Sequence, residues 1–165
     1  MAQSLVGTLQ MYLVLGALAN NDVLNMAMGS IPPLLRFSPD GPTGRGPVGI
    51  ESSLLRASVG VPLPLTIWIT DDSKREEDPV VIKQRLSLPA MNVMWFKHSG
   101  PGPVNFSKSK ESIAELSGTA ATSATFGQAG EYVIRVRADN FGRVDTNPGN
   151  QCCWTNGYVK VTVTP

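Results

Sequence analysis

Tyr132-Val133-Ile134-Arg135-Val136-Arg137-Ala138 alternates its side chains with a period of two. Successive side chains of an extended chain point to opposite faces. Tyr132, Ile134, Val136 and Ala138 therefore share one face, and Arg135 and Arg137 share the other. A one-residue slip would carry both arginines into the core, so the register of this strand is strongly specified. Tyr158 to Thr164 repeats the pattern, with valines alternating against Lys160 and threonines. Leu63 to Thr70 sets Leu63, Leu65, Ile67 and Ile69 against Pro64, Thr66 and Trp68. Each reads as a strand with one buried and one wetted face. Met91 to Phe96, Val104 to Phe106 and Ala120 to Phe126 are weaker strands, with Trp95 in phase with Met91 and Val93. The clusters Asp71 to Asp78, Ser99 to Pro103, Ala129-Gly130 and Asn147 to Asn150 read as turns. Ser107 to Leu116 reads as a short turn or helix. Residues 48–165 are expected to be all-β.

Residues 1–47 differ. Leu9 to Leu15 reads as a strand, and Val23 to Met28 as a short strand or helical turn. Ser30 to Phe37 leads into the loop Ser38 to Pro47, rich in Pro and Gly. Prolines confine this stretch to sheet edges and extended connections. It is expected to be an N-terminal extension that packs on the sandwich through Leu9, Tyr12, Leu13 and Leu15 and covers Trp68.

The chain has 165 residues, the size of one ordinary domain, and needs no staples to bury a core. Its 14 basic and 13 acidic residues nearly cancel, which argues against a nucleic-acid partner. Charged residues make up 16%, and Gly (16) and Pro (13) are frequent, so the chain is turn-rich. The longest uncharged run, Met1 to Asn21, is broken by Gly7, Thr8, Gln10 and Gly16 and makes a poor transmembrane helix.

Trp95, then Ser99-Gly100-Pro101-Gly102-Pro103-Val104-Asn105-Phe106, Ala124-Thr125-Phe126, Ala129-Gly130-Glu131-Tyr132 and the closing Val159 to Val163 together resemble PKD-type and related bacterial immunoglobulin-like domains. The resemblance covers about residues 55–165. It implies an antiparallel β-sandwich with Trp95 in the core and Tyr132, two residues after Gly130, as a tyrosine corner. It also implies a non-catalytic module, although such sandwiches serve many roles. Ile134 stands where antibody domains carry a core cysteine, so no disulfide joins the two sheets.

Cys152-Cys153-Trp154-Thr155-Asn156-Gly157 is the most unusual string, read as a loop before the last strand. The adjacent cysteines are either two small apolar anchors, a vicinal disulfide, or a cross-link to a partner. Nothing nearby supplies further ligands, so no metal is expected. The acidic loop Asp71 to Asp78 contains Lys74 and Arg75 and lacks the spacing of a calcium loop; it reads as a solvated turn. Gly41 to Pro47 has no Gly-Lys-Ser/Thr ending and is not a phosphate loop. His98 stands alone at a strand end and reads as a surface residue.

These readings lead to one expectation and two alternatives. The expected function is a non-catalytic interaction or structural module that binds a protein partner or serves in a larger assembly. Its expected contact residues are Cys152, Cys153, Trp154, Tyr158 and Trp68, with no cofactor. One alternative is a carbohydrate-binding domain using Trp68, Trp154 and Tyr158. The other is a small hydrolase or redox enzyme centred on His98 or on Cys152 and Cys153. Leu13 to Ala19 ends like a signal-peptide cleavage site, yet no Lys or Arg precedes Arg36. The family resemblance points to a periplasmic or extracellular location, where the sequon Asn105-Phe106-Ser107 would matter only in a eukaryotic secretory pathway.

Overall fold

The computed structural model describes residues 29–74, 90–140 and 153–165. Their strands, in chain order, are β1 (Leu34–Arg36), β2 (Ile50–Glu51), β3 (Leu55–Ser58), β4 (Leu63–Thr70), β5 (Met91–Ser99), β6 (Val104–Phe106), β7 (Lys110–Ile113), β8 (Ser117–Phe126), β9 (Gly130–Asp139) and β10 (Trp154–Thr164). No helix occurs among the described residues, and so none is long and apolar enough to cross a membrane.

The strands form two sheets. One has the order β1-β4-β8-β6; the other runs β2-β10-β9-β5-β7, with β3 continuing the β2 edge beside β10. All pairings are antiparallel except those of β2 and β3, which run parallel to β10. The chain thus begins in the first sheet, turns a corner through residues 37–49, and joins the second. This strand order, with β4, β8 and β6 facing β5, β9 and β10, is that of an immunoglobulin-like β-sandwich. The fold is all-β, as the two-residue periods require.

The period-two faces meet in one core. Leu65, Ile67 and Ile69 of β4 and Ala120, Ala124 and Phe126 of β8 pack against Val93 and Trp95 of β5, Tyr132, Ile134 and Val136 of β9, and Val159 and Val161 of β10. Trp95 is buried, as expected of the large central residue. Tyr132 forms the expected corner. Its hydroxyl donates to the Gln128 carbonyl and accepts from the Gly102 amide, and its ring packs edge-on to Phe126.

Four local readings need correction. The Ser107–Leu116 stretch holds β7 rather than a helix. Glu111 stabilises it there, accepting from Lys108 Nζ on its own strand and from the Ala121 amide of β8. The last strand begins at Trp154 rather than Tyr158, because the end of β9 needs partners for its backbone. Trp154, Thr155, Asn156 and Gly157 pair with Asp139, Ala138, Arg137 and Val136. β1 lies inside the segment read as an extension, yet it pairs with β4 and places Leu35 in the core; the boundary at 47/48 divides one continuous sandwich. Finally, Asp71 belongs to no solvated turn. It is buried and accepts hydrogen bonds from Ser73 and Asn140. The predicted contacts of Leu9, Tyr12, Leu13 and Leu15 lie outside the described residues.

Candidate functional site

Two long connections leave the same end of the sandwich. One runs from the end of β4 to β5, the other from the end of β9 to β10. Their roots are tied together by buried polar groups. The Asn140 amide, just after β9, donates to Asp71 Oδ1 at 2.9 Å, just after β4. It also lies 2.7 Å from the Ile31 carbonyl. Ser73 closes the cluster, its hydroxyl donating to Asp71 Oδ1 at 2.6 Å and accepting from the Ile31 amide at 3.0 Å. Short polar side chains at strand ends capture nearby backbone in this way because their reach matches one or two residues. The cluster joins three separate chain segments, and buried hydrogen bonds of this kind hold geometry more than they add net stability.

The segment 29–49 is clasped further along the same end. Thr155 Oγ1, buried on the inner face of β10, donates to the Pro33 carbonyl and accepts from the Gly46 amide. Asn156 Nδ2 donates to the Pro47 carbonyl at 2.6 Å. Arg45 donates from Nη2 to both oxygens of Asp72, at 2.9 and 2.7 Å, and from Nη1 to the Pro32 carbonyl. That hydrogen bond holds the Asp72 carboxyl below the usual carboxylate range, with the Arg45 charge assisting.

Cys153 stands at the root of the β9–β10 connection. It is buried and disulfide-bonded, which sets aside the reading of two free thiols as apolar anchors. The chain has one other cysteine, Cys152, which lies outside the described residues. Cys153 Sγ is 3.4 Å from the Ser30 carbonyl oxygen. A disulfide sulfur carries no hydrogen, so this is a packing contact and no hydrogen bond. Trp154 follows, half-buried on the outer face of the second sheet, opposite Asp139. Its Nε1 is buried and finds no acceptor among the described residues.

The outer face of the second sheet continues from there across β10, β9 and β5. Arg137 and Asp139 form an ion pair at 3.1 Å with both side chains largely buried. Arg137 thus lies opposite the core as its period requires, yet not in water. One row further, Arg135 stacks over the Phe96 ring at 5.7 Å and donates from Nε to Asn156 Oδ1 at 3.0 Å. Tyr158, four residues beyond Trp154 on the same face, meets the exposed His98 ring edge-on at 5.6 Å. No group of three His, Cys, Asp or Glu residues capable of holding a metal occurs among the described residues.

The sequence-predicted contact residues therefore divide. Cys153, Trp154 and Tyr158 share one strand. Trp68 is on the outer face of the other sheet, half-buried between Arg36 of β1 and Thr119 of β8. The three aromatics proposed for sugar stacking do not share a face. What sequence reasoning missed is the polar cluster. Its signal was present in Asp71, Asn140 and Ser73 at strand ends, but such residues are equally common in solvated turns.

No family model and no curated protein matches the chain. Solved structures similar to it include the PKD domain of an M14-like peptidase from a Thermoplasmatales archaeon, with 13% identity, a TM-score of 0.40, and 82% of this chain covering 96% of that one. A CARDB domain from Pyrococcus furiosus matches at 14% identity with a TM-score of 0.39, over 81% of this chain and 97% of that one. Domains 4 and 5 of the S-layer protein SbsC match at 13% with a TM-score of 0.39, over 69% of this chain and 49% of that one. The chain spans about half the length of that S-layer fragment. Likeness of this degree says nothing of function, and the immunoglobulin-like architecture rests on the strand order and the tyrosine corner.

Proposed function

We propose that the chain is a non-catalytic interaction module, exported from the cytoplasm, that binds a protein partner through the end of the sandwich carrying Cys153 and Trp154. The observation that carries this reading is the Asp71–Asn140–Ile31 cluster, which fixes the roots of both long connections against each other. Recognition loops work best from a rigid scaffold, since ordering them on binding would cost affinity. Ile31 and Leu116 are exposed apolar side chains at this same end. The disulfide at Cys153 supports an oxidising compartment. Trp154, with a buried indole and an unanswered N–H, has the character of an interface anchor.

Photo-crosslinkers placed singly at Leu116 and at Asn105 test the reading in the native host. Asn105 is exposed on β6, at the opposite end of the first sheet. Crosslinks to one discrete protein from position 116 and none from 105 are expected. Trp154→Ala should weaken that binding by about 2 kcal/mol or more with little change in Tm. Loss of stability with binding intact would show instead that Trp154 is structural and overturn the assignment.

A further inference from the structure

Of the six large apolar side chains exposed among the described residues, four (Val48, Leu54, Val59 and Val61) lie along one edge of the second sheet. Val48 is 92% exposed, and Leu54 and Val61 are more than half exposed. β2 and β3 form this edge. β10 occupies one side of them, and no described strand occupies the other. Unpaired edges of this kind are templates for another strand unless charge, proline or a cover blocks them.

The backbone and side chains of the edge have a definite pattern. Ser52 and Val59 donate their amides to the Tyr158 and Thr164 carbonyls of β10. By strand alternation, Glu51, Arg56 and Ser58 then turn their N–H and C=O groups outward. Ile50, Leu55 and Ala57 pack toward the core. Glu51 and Arg56 accordingly stand exposed on the outer face, and they are opposite in charge.

We propose that this edge pairs antiparallel with the same edge of a second copy of the chain, about a two-fold axis between residues 53 and 54. That register places Glu51 directly opposite Arg56 of the second copy, and Arg56 opposite its Glu51. Ile50 then faces Ala57 on the core side, and Val48 faces Val59. Every pair matches in face, and the outward backbone groups of Glu51 meet those of Arg56. A two-fold interface must be complementary to itself, and this edge is. Opposite charges across an antiparallel pair are favourable and like charges are not, so symmetry counts the effect twice. The inference is independent of the partner-binding end.

Sedimentation of the whole chain between about 1 and 500 µM measures self-association directly. A reversible dimer is expected. Glu51→Arg alone and Arg56→Glu alone should each weaken it about tenfold or more, because each turns two attractive pairs into two repulsive ones. The double variant Glu51→Arg/Arg56→Glu should restore it, and circular dichroism should show all variants folded. A monomer throughout the concentration range overturns the proposal. So does a dimer indifferent to the single variants, or one that the double variant fails to restore.

Discussion

The Tyr132 hydroxyl lies 2.8 Å from the Gln128 carbonyl oxygen and 3.0 Å from the Gly102 amide, so one side chain bonds two separate turns at the same end of the sandwich. Tyr132→Phe removes that group and leaves both backbone partners wanting. The expected cost is about 1–3 kcal/mol, or roughly 2–4 °C of Tm for each kcal/mol in a chain of this size. Thermal denaturation followed by circular dichroism measures it. An unchanged Tm would mean that water replaces the hydroxyl without loss.

Trp95→Ala should cost about 3–5 kcal/mol, because the indole is buried between the sheets and its removal leaves a cavity the two layers cannot collapse to fill. Urea denaturation reads the loss as a lower midpoint. A midpoint within error of the wild type would show that Trp95 is not central to the core.

Gly46 and Gly49 separate backbone strain from lack of space. Both have positive φ, +79° and +67°. A Cβ at Gly46 would meet nothing within 4 Å, whereas one at Gly49 would fall 1.8 Å from the Asn156 carbonyl oxygen. Gly46→Ala should therefore cost about 1 kcal/mol, the strain alone. Gly49→Ala should cost clearly more, since backbone must move on one side or the other. Equal losses in parallel melts would show that the corner yields freely.

The Arg45–Asp72 contact gives a pH-dependent term of known sign. The Asp72 pKa is lowered by the Arg45 hydrogen bond, so its stabilisation is complete at neutral pH and fades as pH falls through the lowered value. Asp72 is solvent-exposed, and the effect is small and weakened by salt. The stability difference between wild type and Asp72→Asn should be measurable at about pH 7 in low salt and shrink at about pH 2.5. A difference that stays constant across that range contradicts the pairing.

The core was legible wherever apolar residues alternated with polar ones. Tyr132 to Ala138 and Leu63 to Thr70 announced their inner faces, and Gly130 with Tyr132 announced the corner. Legibility failed where the inner face is not apolar. Thr155 and Gly157 point inward at the start of β10, the first because its hydroxyl bonds Pro33 and Gly46, the second because Phe37, Leu35 and Val136 leave no room for a Cβ. A polar residue and a glycine look like loop, and Trp154 to Gly157 was read as one. Lys110 to Ile113 failed for a related reason: its strand is held by the Glu111 carboxylate rather than by an apolar face. Asp71 and Asn140 were unreadable as partners because 69 residues separate them and only the fold brings them together.

The Asp71–Asn140 bond also bears on how freely this molecule can change. Because the two roots are held to each other, the chain between them can be rewritten or lengthened without moving the points from which it departs. Closing a loop twice as long costs only about 0.6 kcal/mol more once its ends are fixed. New sequences can therefore be grafted between 74 and 90 or between 140 and 153 while the ten strands stay as they are. The same end of the molecule becomes a place where lineages of this protein can acquire new specificities one loop at a time.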